Sequence, residues 1–198
     1  MECLEANAEG AIREFRTLVE RDLGKLLSTE VKTCFYRNEP EEFYFDFENY
    51  RIAENLVAPR RWDHYEYREQ PELLLEDTCP GVREFRVGSH LLRSNCKVTH
   101  QPDWGSVYVR MRSERQPSLE SFLKYIVSLR EEYHFHEEIC EMIYKRLWDS
   151  FSPKELSVCC LYTRRGGIDI CPCRASSEAY LPPYLMEADI LTKRSFRQ

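Results

Sequence analysis

The sequence predicts an α+β protein whose main module has the element order β-β-α-α-β-β. Three observations predict it: short runs in which apolar and polar residues alternate, two stretches with apolar residues at helical spacing between them, and turn residues at the junctions. The chain of 198 residues is long enough to bury a sizeable core.

The elements of this module follow one another over residues 82–171. Strands are predicted at 82–87 and 106–111, where apolar positions alternate. Ser118 is a suitable N-cap for a first helix, and a second helix is predicted from about residue 135 to 151, where Ser152-Pro153 ends it. A strand over 156–163 leads into a turn at 164–167, and residues 168–170 begin the last predicted strand.

The first half of the chain is less complete, with only a predicted α-β-β order. A helix is predicted over 9–27, and strands over 31–36 and 42–50. Residues 50–80 are irregular and contain Pro59, Pro71 and Pro80. We therefore expect three parts: 1–50 as the remnant of an N-terminal module, 51–80 as a linker, and 81–198 as the catalytic module.

Composition excludes several classes of protein. The net charge of −6 disfavours a mainly electrostatic nucleic-acid binder, and we expect no direct contact with nucleic acid. Apolar runs are too short to span a bilayer, so no membrane association is expected. Nine cysteines, an odd number, without an apolar leader indicate reduced thiols, and hence a cytoplasmic location.

The loop between the first two strands carries the most reactive combination of side chains. Cys96 is close in sequence to Lys97 and His100, whose positive charge would favour a thiolate, and Asp103 follows beyond a proline turn. A reactive cysteine with a carboxyl proton donor is one interpretation. The alternative is an ordinary turn with a half-buried thiol.

Two further segments carry candidate binding residues. His136 and Glu137 open the second helix, where they either hold a heterocycle or serve the helix dipole. The spacing of His134, His136 and the cysteines fits no standard zinc motif, so no metal is predicted. Arg165 and Gly166 form a turn that suits a phosphate, although such turns are common.

Three sequence segments together resemble the NADPH-dependent 7-cyano-7-deazaguanine reductases, the nitrile reductases of queuosine biosynthesis in tRNA modification. They are NCKVTHQPDWGSVYV, SLESFLKYIVSLREEYHFHEE and KELSVCCLYTRRGGIDICP, and the resemblance is strongest over residues 82–175. ERDLGKLLSTEVKTCFYR resembles the end of the first module in the two-module form of that family. The resemblance implies the tunnelling fold, with an antiparallel sheet and helices on one face of it. It also implies an N-terminally shortened chain with an incomplete first module.

The same resemblance implies a role for each candidate residue. Cys96 would attack the nitrile carbon to form a thioimide, and Asp103 would supply the proton. His136 and Glu137 would bind the deazaguanine, while Arg165 and Gly166 would contact NADPH, which reduces the nitrile to 7-aminomethyl-7-deazaguanine. Because tunnelling-fold sites lie at interfaces between modules or subunits, we expect a homodimer or a higher homo-oligomer.

One departure from the family keeps alternatives open. Members carry a Glu-Ser-Lys-Ser segment that contacts cofactor and substrate, whereas residues 113–118 here read SERQPS. A related amidinotransferase family forms the same thioimide and passes it to ammonia. A third interpretation is a non-catalytic protein that binds a deazapurine or a partner subunit.

Overall fold

The computed structural model describes residues 8–33, 47–58, 67–77 and 81–183. The chain divides into two compact units, one of Met1–Phe45 with Pro183–Lys193 and one of Asp46–Pro182 with Arg194–Gln198. In the first unit, helix α1 (Ala8–Leu27) is described, which confirms the predicted helix. Several apolar side chains of this helix, including Phe15, Leu18 and Leu26, are exposed.

The second unit is built on a five-stranded sheet. Its strands are β1 (Arg51–Ile52), β3 (Arg83–Asn95), β4 (Pro102–Ser113), β6 (Glu155–Tyr162) and β7 (Cys173–Ala175). They lie side by side in the order β1-β3-β4-β6-β7. The pairs from β3 to β7 are antiparallel, and β1 joins β3 in parallel. A separate two-stranded ladder joins β2 (Glu76–Asp77) to β5 (Gln116–Pro117).

Two helices cover one face of this sheet and enclose the core. They are α2 (Leu119–Ser128) and α3 (His136–Phe151). The buried cluster joins α2 and α3 to alternate residues of the strands, such as Val87, Val109 and Val158. Short 3₁₀ helices lie at Ala53–Asn55, Pro71–Leu73, Leu129–Glu131 and Glu178–Tyr180. The α+β class and the β-β-α-α-β-β order are confirmed.

The first predicted N-cap is also confirmed, because Ser118 accepts a hydrogen bond from the Ser121 N–H at 3.1 Å. The last strand was placed wrongly. Residues 168–170 form no strand, and β7 begins at Cys173, where it can pair with β6. The backbone N–H and carbonyl groups of Arg165 and Ile168 exchange hydrogen bonds. These bonds close a tight turn after β6 and hold residue 168 away from that strand.

The first half differs from the sequence prediction where it is described. Residues 31–33 and 47–50 form no strand, and residues 34–46 lie outside the described residues. In the segment predicted as a linker, Arg51 and Ile52 pair with β3, and Leu74 is buried in the main core. The division into a remnant, a linker and a catalytic module stays a prediction.

Candidate active site

The candidate site lies at the end of the sheet where β3 ends and β4 begins. A bulge in β3 between Ser89 and Leu92 shifts the alternation, so that Leu92 and Ser94 point to the helix-covered face. Across the ladder, Asp103 pairs with Ser94 and lies on the same face of β4 as the buried Val107. The bulge therefore helps direct both strand ends towards the start of α3.

Cys96 begins the connection from β3 to β4. Its N–H donates to the Gln101 carbonyl at 2.8 Å, and its carbonyl accepts from the His100 N–H at 2.9 Å, which folds residues 96–101 into a closed turn. His100 has a φ of 59°, in the left-handed region. This turn brings the Thr99 N–H to 3.5 Å from the half-buried Cys96 Sγ.

The turn changes the acidity of the thiol. Hydrogen bonds from the Thr99 side chain and from the backbone of Thr99 and Val98 lower the pKa of Cys96. Burial of the thiol and then the Asp103 charge oppose this shift. The predicted source of the shift was wrong, since Lys97 instead pairs with Glu138 at 2.9 Å. That ion pair, with the Phe135 N–H, lowers the pKa of Glu138 to about 2.

Asp103 is a buried carboxylate held from two sides. Its Oδ2 lies 3.2 Å from His136 Nε2, and its Oδ1 pairs with the Arg165 guanidinium. Its side chain is only 3% exposed, so these two partners take the place of water. The structure thus brings together the predicted proton donor, the first base-binding residue and the predicted cofactor contact, and the charge of this carboxylate also acts on Cys96.

His136 is oriented by an aromatic ring that the sequence analysis did not identify. Its imidazole stacks on Tyr162 with 3.8 Å between ring centroids and 7° between planes. A side chain at Gly105 would meet the Leu161 carbonyl at 2.8 Å and the Tyr162 ring at 3.1 Å, so glycine is needed there. A tyrosine at the end of a buried strand, opposite a glycine, is the signal that marks this pair.

The start of α3 is tied to the end of β3 by Asn95. This residue donates to the Glu132 carbonyl and accepts from the His134 N–H, at 2.8 and 3.1 Å. Its side-chain amide also donates to the Arg130 carbonyl at 3.1 Å. Because these bonds hold the segment before α3 against the sheet, the position of His136 relative to Asp103 is fixed by the backbone.

Glu137 and His136 differ in their exposure at the start of α3. His136 Nδ1 is buried and has no hydrogen-bond partner within the described ranges. Glu137 is exposed and lines an open groove of about 590 Å³ along α3, together with residues such as Glu141 and Lys145. Cys96 and Asp103 do not line this groove.

The turn between β6 and β7 fits the approach of a phosphate-bearing cofactor. Gly166 and Gly167 have φ values of 56° and 80°, and a Cβ at either would meet no atom within 4 Å. The neighbouring Arg165 side chain is 37% exposed. An accessible backbone beside a guanidinium suits a phosphate.

Among the described residues, no group of three potential metal ligands is present, and no helix is long and apolar enough to cross a membrane.

Comparison with known proteins gives matches over most of the chain. Residues 102–180 match the family described as QueF-like protein. The NADPH-dependent 7-cyano-7-deazaguanine reductase of Acinetobacter baylyi is 50% identical over 176 residues, which cover 86% of this chain and 60% of the relative. The reductase of the same name from Psychrobacter cryohalolentis is 35% identical over 180 residues, 87% of this chain and 63% of the relative.

A reductase of this name from Acinetobacter baumannii strain SDF is 35% identical over 170 residues. A solved structure, the archaeosine synthase QueF-Like in the apo form, covers 50% of this chain at 18% identity, with a TM-score of 0.43. The chain spans about three fifths of the length of the curated relatives it matches. The resemblance stated from the motifs is thereby confirmed, and the chain is a homologue of the NADPH-dependent 7-cyano-7-deazaguanine reductases.

Proposed function

We propose that this protein reduces the nitrile of 7-cyano-7-deazaguanine to the amine with NADPH, through a thioimide on Cys96. The observation that carries the proposal is the Cys96 thiol, whose pKa is lowered and on which the charge of Asp103 acts. Asp103 is a buried carboxylate that pairs with His136. A nitrile is a weak electrophile, so its capture needs a thiolate and a nearby proton source. The names of the homologous enzymes support the substrate and the cofactor.

The capture step follows from these residues. Asp103 takes the proton from the Cys96 thiol, the sulfur bonds to the nitrile carbon, and the proton passes to the nitrile nitrogen as one π bond breaks. No oxidant or reductant is needed to form this thioimide. Arg165 and Gly166 would hold the phosphate of NADPH, which when bound would supply the hydride that reduces the captured carbon.

Substrate binding is assigned to the start of α3. The Glu137 carboxylate is exposed and suits the N–H donors of a guanine-like edge. The preceding residue, His136, has a buried Nδ1 without a hydrogen-bond partner among the described residues, which a polar ligand group would satisfy. Since the neighbouring Glu138 carboxylate is already engaged by Lys97 and by the Phe135 N–H, Glu137 is the acceptor left for a ligand in this turn.

The test is a reaction of the purified chain with the nitrile, with and without NADPH. We expect a near-ultraviolet thioimide band and a one-to-one mass adduct without NADPH, and NADPH oxidation when it is added. Cys96→Ala should abolish the adduct, whereas Cys171→Ala, which removes another half-buried thiol, should retain it. An adduct that persists in Cys96→Ala would refute the assignment of the nucleophile.

Amidine formation is the second candidate function. The observation in its favour is that Arg165, the predicted cofactor contact, is already engaged with Asp103. Thioimide formation is common to both reactions, so only the next step separates them. Adding ammonia instead of NADPH and measuring the amidine product by mass would distinguish transfer from reduction.

A homodimer or higher homo-oligomer in the cytoplasm completes the proposal. Support comes from the short β1, which pairs with β3 only at Arg51 and Ile52 and leaves much of that strand edge without a strand partner among the described residues. Sedimentation of the purified chain tests the assembly. A monomer at the protein concentration used in the nitrile assay would contradict it.

A further inference from the structure

The Arg165 guanidinium contacts three consecutive residues, 101–103, where β4 begins. Its Nη1 donates to Gln101 Oε1 and its Nη2 to the Pro102 carbonyl, both at 2.9 Å. The same Nη2 pairs with Asp103 Oδ1. Three consecutive residues therefore present acceptors to one planar group, whose donors are fixed in a fork.

Arg165 completes the environment of the Asp103 carboxylate. One oxygen of Asp103 faces His136 at 3.2 Å and the other faces Arg165, so the plane of the carboxylate is set by two partners on opposite sides. The Asp103 side chain is 3% exposed, and water cannot replace a lost partner easily. Removal of Arg165 would free one oxygen and allow the carboxylate to rotate.

The adjacent Arg164 has a different task. It donates from Nε and Nη2 to the Asp169 carboxylate, at 2.6 to 3.1 Å, and so braces the turn itself. Arg165 and Ile168 exchange backbone hydrogen bonds of 2.9 and 3.0 Å, which close the same turn. One arginine thus stabilises the turn, and the turn presents the other arginine to Asp103.

We propose that Arg165 is a positioning residue for nitrile capture, which holds Asp103 in the orientation that accepts the Cys96 proton and returns it to the nitrile nitrogen. This inference rests on the proposed function. It assigns Arg165 a role before any cofactor is needed, which differs from a contact with NADPH. In this step the S–H bond breaks, C–S and N–H bonds form, and no electrons are supplied from outside.

The experiment measures thioimide formation without NADPH at saturating nitrile. We expect Arg165→Met to slow formation about tenfold or more, since a misplaced proton donor loses part of general acid–base catalysis. Arg165→Lys should recover part of the rate, because it restores the charge but not the fork. Arg112→Met is the matched control, because it removes an exposed arginine that pairs with Glu155 at the other end of β4. Its rate should stay within about twofold of wild type.

A second readout separates positioning from general damage. Alkylation of Cys96 by iodoacetamide depends on the thiolate and not on proton delivery to a nitrile, so it should change by less than about threefold in Arg165→Met. Gln101→Leu, which removes one acceptor of the guanidinium, should slow thioimide formation in the same direction and keeps the proposal testable if Arg165→Met does not fold.

The outcomes are distinguishable. Wild-type capture rates in both Arg165→Met and Gln101→Leu, with a defect only after NADPH is added, would overturn the inference and leave Arg165 as a cofactor contact. Equal losses of thioimide formation and alkylation would overturn it as well, because they indicate a disturbed loop. Failure of the wild-type chain to form a thioimide would instead refute the proposed function.

Discussion

Cys96 and Cys171 are both half-buried thiols in connections at the same end of the sheet, yet their pKa values move in opposite directions. Backbone and hydroxyl donors of Thr99 lower the pKa of Cys96. Burial, and then the nearby Asp169 carboxylate, raise the pKa of Cys171 to about 11. The comparison teaches that partial exposure does not identify a reactive thiol. The donors and charges that face the sulfur decide its ionisation.

A third thiol extends the comparison into the core. Cys160 is fully buried in β6, between the sheet and α3, and burial raises its pKa well above the usual value. Its neighbour Cys159 points to the other face of the sheet, where its sulfur contacts that of Cys173 at 2.7 Å. Cys160 therefore belongs to the packed core beneath the sheet that carries the candidate site.

The largest expected effect is selective alkylation of Cys96. Its pKa is below the ordinary 9.0 and that of Cys171 is about 11, so their thiolate fractions differ by at least about a hundredfold near neutral pH. The lower intrinsic nucleophilicity of the more acidic thiol reduces this to about tenfold. Cys160 should react slower by on the order of 10³, since it must first be exposed by unfolding.

Peptide mapping after brief treatment with iodoacetamide checks this order, with Cys96→Ala as the control that loses the fast site. Equal labelling of Cys96 and Cys171 would break the comparison, because it would mean that the turn at residues 96–101 does not stabilise the thiolate.

The next effect is on stability. Cys160→Ser places a hydroxyl in a fully buried apolar site, and we expect a loss of about 1–3 kcal/mol in the free energy of unfolding. Cys96→Ser changes a half-exposed position and should cost less than about 0.5 kcal/mol. Urea unfolding of both variants measures the difference. Similar losses would show that the two thiols are not in distinct environments.

Much of the fold could be predicted from sequence because its elements are strongly patterned. The alternation in β3 and β4, the apolar stripe of α2 and the Ser118 cap are local signals. The last strand was misplaced because Ile168 and Ile170 have high strand propensity, while the start of β7 depends on its register with β6. Propensity does not contain that long-range information.

The candidate site was predictable to a similar extent. The sequence motifs identified Cys96, Asp103 and His136. The structure pairs Asp103 with His136 and places Cys96 where the Asp103 charge affects its pKa. The source of the thiol pKa shift was not predictable, since it depends on hydrogen bonds from the Thr99 hydroxyl and then from the backbone of Thr99 and Val98, and not on the charge of Lys97. The Arg165–Asp103 pair was missed too, because it joins the start of β4 to the turn after β6, and these are distant in sequence.

The smallest expected effect concerns the hydroxyl of Thr99. Its side-chain hydrogen bond is the largest contribution that lowers the pKa of Cys96, so Thr99→Val should raise that pKa towards 9.0. The sign follows because the bond favours the thiolate, and its loss favours the thiol. At a fixed neutral pH, Cys96 should therefore alkylate more slowly in Thr99→Val, and the midpoint of its pH–rate curve should move upwards. Thr99→Ser keeps the hydroxyl and should retain the wild-type midpoint. If Thr99→Val and Thr99→Ser both keep the wild-type midpoint, the backbone N–H groups of Val98 and Thr99 alone account for the acidity of Cys96.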